Sequence, residues 1–344
     1  MTIEFMRTSL GRQARGRRVA NESEFQVAIL LPVHGTDEAL DRTVASVLAQ
    51  TETRWTLWLI ETHDACGRAA RWLGTDPRVR RLQHPGCGRA AALGHALARC
   101  PGDYLVFLDA EHGWEPGFLA LTTAFLRANP LEDLVCMEAV TLSGQPAVVR
   151  RAVFRERGAL REALDLPPGT RSDTALDGAT WYRGELAQHL RWGEYSRMAV
   201  TLMTSDAALR LAPALGRESA ALDYRLQARL ARTCPVNLLA LPGAVHRPAI
   251  WSAAQELQQE RDALQVFDEI HGRQRDIDPE VARLRLERLA RLQRSSALRL
   301  LGHGLGLVRH ATRVVLRCTG RSGARRAIDS LSLRPSGPPM HHPR

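Results

Sequence analysis

What most limits the folds open to this chain is the alternation, from Val27 to Ala139, of short apolar runs with segments of helical period. Val27-Ala28-Ile29-Leu30-Leu31 is uninterrupted by any polar residue and is closed by Pro32. A run of that length with no polar position on either side of the pleat reads as a strand covered on both faces. A helical pattern follows from Glu38 to Gln50, with Leu40, Val44, Val47 and Leu48 on one side. The spacing then predicts a strand over Trp55 to Ile60, a helix around Arg68 to Leu73, and a short strand near Val79 to Leu82. Beyond these come an alanine-rich helix over Ala90 to Arg99 and a strand over Tyr104 to Leu108 that runs directly into Asp109. Pro116 to Ala128 is a helix with Pro116 suited to its first turn, and Leu134 to Ala139 is a further strand. Buried strands joined by helices require an α/β fold: a mostly parallel, Rossmann-like sheet with helices on both faces. Ligands of such sheets bind beyond the carboxyl ends of the strands. The segments to inspect are therefore Pro32 to Asp37, Glu61 to Asp64 and Asp109 to Glu115.

Past residue 140 the alternation fades, and residues 141 to 195 are rich in turn residues and charges. Val200 to Met203 is a short apolar run, Ala220 to Ala231 reads as a helix, and Val236 to Leu241 reads as a strand. From Ala253 onward the pattern is helical and arginine-rich until the prolines of the last dozen residues. The formal charge is +10 and contains no lysine, so all 47 basic residues are arginine. Arg7, Arg12, Arg15, Arg17 and Arg18 crowd an N-terminus with no apolar core behind them, which reads as a flexible basic tail and not a signal peptide. No nucleic-acid-binding motif accompanies the charge, so nucleic acid is not expected as a partner. Nowhere do the roughly 18 to 20 uninterrupted apolar residues of a spanning helix occur. The six cysteines are scattered, without C-x-x-C pairs or zinc-like spacing, as expected of reduced thiols in a cytoplasmic protein.

Three acids stand at predicted strand ends: Glu61, Asp109 and Glu111. Asp109-Ala110-Glu111 places two carboxylates two residues apart directly after a buried strand. Magnesium and manganese prefer such oxygens and commonly join them to a substrate diphosphate.

Around these residues the chain resembles glycosyltransferase family 2, whose members have the GT-A fold and use nucleotide-sugar donors. Val27 to His34 is similar to the family's opening strand and its P-x-[YH] end. Ser46-Val47-Leu48-Ala49-Gln50-Thr51 resembles the S-V-L-x-Q-T end of the next helix. Gly102 to Glu111 resembles G-[DE]-Y-x-x-F-x-D-x-D, and Trp114-Glu115-Pro116-Gly117-Phe118-Leu119 the W-x-E-P-x-F-L that follows. Further on, Leu202 to Leu209 with Gly216 resembles x-x-R-x-x-A-L-x-x-x-G, and Leu222 to Leu230 resembles E-D-x-x-L-x-x-R-L. The resemblance implies an inverting transferase that moves a sugar from a nucleotide-diphospho-sugar, with a UDP-sugar the first choice, to a sugar or lipid-linked acceptor. By position it makes Asp223 the general base. It makes Asp109, Glu111 and His246 ligands of Mn2+ or Mg2+, and it puts Pro32, His34, Glu61, Asp109 and Arg247 against the donor. Glu218, Asp206 and Glu194 are the other carboxylates of the second half that could serve as base.

The chain departs from the family pattern at Glu61-Thr62, where an Asp-Asp pair is usual, at Glu111, where Asp is usual, and at Gly94, near a usual Asn. A non-catalytic GT-A-like binding protein with a degenerate donor site is the alternative these departures motivate. A nucleotidyltransferase of similar architecture is a second, but Pro32-Val33-His34-Gly35-Thr36-Asp37 lacks the glycine-rich basic loop that class requires. Trp181, Trp192 and Trp251 read as packing residues before sugar platforms, and His63 and His112 as exposed loop residues.

The expected organisation is a basic tail over 1–24, a GT-A domain over 25–250, a helical basic region over 251–332 and a disordered tail over 333–344. The domain divides into a donor-binding half (25–140) and an acceptor half (141–250). Leu301, Leu305, Val308, Thr312 and Val315 share one helical face beside an arginine stripe at Arg309, Arg313 and Arg317. That face suits an anionic membrane surface, so the expected location is cytoplasmic, peripheral on the inner face of the plasma membrane. Synthesis of a cell-surface polysaccharide or glycolipid is the expected setting.

Overall fold

The computed structural model describes residues 25–143, 148–150, 181–184, 187, 189–192, 194, 196–249, 251–272, 278–279 and 281–293. Its ten-stranded sheet is built from β1 (Val27–Pro32), β2 (Trp55–Glu61), β3 (Val79–Gln83), β4 (Tyr104–Phe107), β5 (His112–Trp114), β6 (Leu134–Ser143), β7 (Val148–Arg150), β8 (Trp181–Gly184), β9 (Thr201–Thr204) and β10 (Val236–His246). The spatial order is β3-β2-β1-β4-β9-β6-β10-β5, with β7 beside β6 and β8 beside β10. β3, β2, β1 and β4 are parallel neighbours. β9 is inserted antiparallel between β4 and β6, so β6 and its parallel neighbour β10 run the same way as β1. The mostly parallel α/β sheet expected from the sequence is what forms.

Every residue of β1 is buried, and its side chains divide by the period of two. Ala28 and Leu30 join one core with helices α2 (Arg89–Leu97), α4 (Ser205–Leu209), α5 (Leu222–Ala231) and α6 (Ala253–His271). Val27, Ile29 and Leu31 join the other with α1 (Asp37–Leu48) and α3 (Phe118–Ala128). Burial on both faces is why the strand could carry no polar residue. α1 begins where Thr36 accepts a hydrogen bond from the Ala39 amide at 3.2 Å, with Asp37 and Glu38 favourably placed in its first turn. Its buried side holds Leu40, Val44 and Val47 as expected, but Leu48 is 38% exposed. At about 100° per residue Leu48 lies some 80° round from Leu40, off the buried stripe.

The expected segments recur with small changes. The helix expected around Arg68 is a 3-10 turn, Arg68–Trp72, and the last strand is longer, reaching His246. The strand β5 and the short β7 and β8 were not expected. Residues 281–293 are helical. The described residues up to Leu286 belong to one compact unit, and the chain from Glu287 to another. The arginine stripe at Arg309 to Arg317 and both expected tails lie outside the described residues.

Candidate active site

The chain of β4 ends beside that of β1, where the Leu108 amide donates to the Leu30 carbonyl at 3.0 Å. Asp109 therefore emerges at the carboxyl edge of the sheet, only 8% exposed. Its Oδ1 accepts from the Glu111 amide at 2.9 Å and from His112 Nδ1 at 2.6 Å. Burial works to raise the Asp109 pKa. The His112 ring, with Arg89 and His34 nearby, outweighs burial and holds the carboxyl well below the usual carboxylate range.

His112 is the clearest correction to the sequence reading. It is 2% exposed, not a loop residue in solvent. It opens β5, which pairs antiparallel with the end of β10 so that His112 faces His246 across the ladder. The two rings stack with centroids 4.5 Å apart. Thr43 of α1 fixes the same turn by donating to the His112 carbonyl at 2.8 Å. The ladder also delivers His246 to Glu111: Nε2 donates to Glu111 Oε2 at 3.1 Å, and the Arg247 amide donates to the Glu111 carbonyl at 2.8 Å. Burial pushes the His246 pKa down against the opposing pull of Glu111.

Asp223 reaches this group from the other half of the chain. It lies in the first turn of α5, where the helix dipole favours an acid, and is 7% exposed. Its Oδ1 is 2.8 Å from Nη1 of Arg89, the first residue of α2. The contact is a close ion pair whose N–H bonds are not aimed along the oxygen's axis. Arg89 Nη2 lies 3.8 Å from Asp109 Oδ2, so one guanidinium stands between the acids of the two halves. Burial opposes its charge. Asp223 and Asp109 outweigh burial and raise its pKa above the ordinary arginine value. α2 has no side-chain cap of its own; Glu218 supplies one, accepting from the Ala90 amide at 2.9 Å.

The remaining candidates sit around this centre with different degrees of freedom. His34 is half-buried and donates through Nδ1 to the Pro32 carbonyl at 2.8 Å, fixing the end of β1. Glu61 is buried, and its Oε1 accepts from the Ala69 amide at 2.6 Å, holding the 3-10 turn. Among the described residues its Oε2 accepts no hydrogen bond, and Arg81 lies 3.9 Å away. Half of this carboxylate is thus structural. The Arg247 side chain is exposed. Trp181 donates to Asn237 Oδ1 at 3.1 Å and packs edge-on against Phe125, a packing residue as expected. Trp251 is 38% exposed, and His63 is exposed.

Arg89 is the residue the sequence reading missed. A signal was present: Gly86-Cys87-Gly88-Arg89 leads from the carboxyl end of β3 into a helix, which is where a doubly wound sheet places ligand contacts. Two of the five residues of the strand before it, Val79–Gln83, are arginines, so its end lacks the continuous apolar run that marks β1 and β4.

Residues 28–165 match the family described as glycosyl transferase family 2. No curated protein matches the chain. Among solved structures the chain is similar to residues 1–349 of TarS from S. aureus, at 11% identity and a TM-score of 0.45 over 71% of this chain and 65% of that one. It thus spans just under two thirds of the TarS chain. It is similar to the mannosyltransferase PcManGT from Pyrobaculum calidifontis in complex with GDP-Man and Mn2+, at 15% identity and a TM-score of 0.48 over 89% of this chain and 88% of that one. It is also similar to GalNAc-T7 with UDP, GalNAc and Mn2+, at 11% identity and a TM-score of 0.48 over 72% of this chain and 48% of that one. The matched segment holds β1, the Asp109-Ala110-Glu111 turn and the Trp114 to Leu119 continuation, and over that segment, under half of its length, the chain is similar to glycosyl transferase family 2.

Proposed function

We propose that the chain transfers a sugar from a nucleotide-diphospho-sugar, a UDP-sugar first among them, to an acceptor hydroxyl with inversion at the anomeric carbon. One observation carries the reading: Asp223 of α5 meets the Asp109 turn of β4 across a single guanidinium, 2.8 Å and 3.8 Å from its nitrogens. A leaving-group site and a proton acceptor are thereby adjacent. Asp223 takes the acceptor proton as the new bond forms, a role that suits a buried carboxylate beside the leaving-group site. Pro32, His34, Glu61 and Arg247 line the donor side.

Asp109, Glu111 and His246 fit Mn2+ or Mg2+ by donor chemistry, with two hard carboxylates and an imidazole already touching one of them. Among the described residues no three such side chains converge on one point as a ready cage. When bound, the cation offsets charge on the departing nucleoside diphosphate. The protein's part is orientation: His112 and the Glu111 amide occupy Asp109 Oδ1 and leave Oδ2 facing the site.

The setting we propose is the cytoplasmic face of a membrane, in synthesis of a cell-surface polysaccharide or glycolipid. The arginine-rich C-terminal region supports it. Among the described residues no helix is long and apolar enough to cross a membrane. The test is a panel of UDP-, GDP- and dTDP-sugars with manganese, scored for nucleoside diphosphate release. Release from one nucleotide class is expected, and a well-folded protein that releases none from the panel contradicts the reading.

A further inference from the structure

Arg89 is surrounded by acids and yet is not fully satisfied by them. Nη1 is 2.8 Å from Asp223 and Nη2 is 3.8 Å from Asp109 Oδ2. Nε and Nη2 are buried and donate to no acceptor among the described residues. A guanidinium has five N–H donors in a fixed planar fork, and leaving three of them, one on Nε and two on Nη2, buried and unmade is costly unless a ligand supplies the acceptors. The neighbours narrow what that ligand is. Asp109, Glu111 and Asp223 are carboxylates, and His246 stacks on His112 beyond them. Arg89 is a cation enclosed among these acids. A guanidinium fork matches phosphate oxygens two at a time. The nine-residue helix α2 starts at Arg89 and turns the positive end of its dipole toward the same place.

We propose that Arg89 is a further catalytic residue of the transfer, its Nε and Nη2 holding an oxygen of the donor diphosphate while Nη1 keeps Asp223 in place. This rests on the nucleotide-sugar reading of the site. In the step, the acceptor oxygen forms a bond to the anomeric carbon and its proton passes to Asp223. The bond from that carbon to the diphosphate oxygen breaks, and its electron pair stays on the diphosphate. Arg89 transfers no proton, since guanidinium stays charged at any working pH. It meets the growing negative charge with N–H groups already in position. By touching both Asp223 and the leaving group it also fixes the distance between proton acceptor and departing oxygen.

The test is calorimetry of UDP and UMP, GDP and GMP, and dTDP and dTMP, each with manganese, against wild type, Arg89→Gln and Arg89→Lys. A monophosphate lacks the group the fork holds. Wild type is expected to prefer the diphosphate of its own base. Arg89→Gln is expected to lose about tenfold or more of that preference, the equivalent of one charge-assisted hydrogen bond, with monophosphate affinity within about threefold of wild type. Arg89→Lys keeps the charge without the fork and falls between the two. An unchanged preference in Arg89→Gln overturns the inference. Should that variant fail to fold, an unchanged preference in Arg89→Lys does the same. Wild-type protein that binds none of the six nucleotides overturns the donor reading itself, and this inference with it.

Discussion

Asp223 combines two properties that pull against each other in a structural acid: it is buried, and its Oδ1 accepts no aligned hydrogen bond. Held by the ion pair to Arg89 at 2.8 Å, such an acid is positioned to take a proton from an incoming hydroxyl. General-base catalysis contributes about 10²- to 10⁴-fold in rate. Asp223→Asn is therefore expected to reduce transfer at least about a hundredfold while nucleoside diphosphate affinity stays within about threefold. Transfer near the wild-type rate in the folded variant would move the base elsewhere, to Glu218, Asp206 or Glu194. Asp109 and Glu111 were legible in the sequence because an acid directly after a four- or five-residue apolar strand must surface at a sheet edge. His112 was not. Its burial comes from pairing with His246, a partner far along the chain that no local pattern announces.

At the scale of elements, the strands with continuous apolar sequence were readable because burial on both faces dictates composition directly. β5 and β8 were not, because strands of three or four residues such as His112-Gly113-Trp114 carry no measurable period and exist only through β10. The helix α2 was read from the sequence to within one residue at its start, but its cap was not, since that is Glu218 and not a neighbour in sequence. Gly88 makes that start possible. Its φ is +96°, and a Cβ there would meet Glu218 Oε2 at 2.5 Å. Gly88→Ala therefore strains the backbone and displaces the cap together. A loss of about 1–3 kcal/mol in urea unfolding is expected, with donor affinity weakened because Arg89 is the next residue. Unchanged stability would show that the turn relaxes without cost.

The whole molecule buries thiols as well as acids. Burial pushes Cys100 and Cys136 up to about 12 and Cys234 up to about 11. Unfolded thiols ionise near 8.5. As pH rises past that value the unfolded chain loses protons that the folded chain keeps, so stability is intact below about pH 8.5 and falls toward pH 11 to 12. The urea midpoint is expected to drop between pH 7.5 and 10, and less steeply in a Cys100→Ala, Cys136→Ala, Cys234→Ala protein; equal slopes would contradict this. The C-terminal arginines predict a second property. Truncation after about Arg294 should weaken sedimentation with anionic liposomes at low salt, since arginines near such a surface contribute about 1 kcal/mol each. Equal sedimentation of both proteins would argue against a membrane role.

The two lengths of chain that supply Asp109 and Asp223 belong to one compact unit and meet at Arg89, the arrangement on which the proposed transfer rests. The most direct test is calorimetry of nucleoside diphosphate binding to wild type and Asp109→Asn, with and without manganese. Asn keeps an oxygen for His112 and the Glu111 amide but removes the charge that faces the diphosphate. Manganese should strengthen binding of at least one nucleoside diphosphate to wild type and have no effect on Asp109→Asn. The same manganese-dependent affinity in both proteins would contradict the placement of donor and metal at this turn.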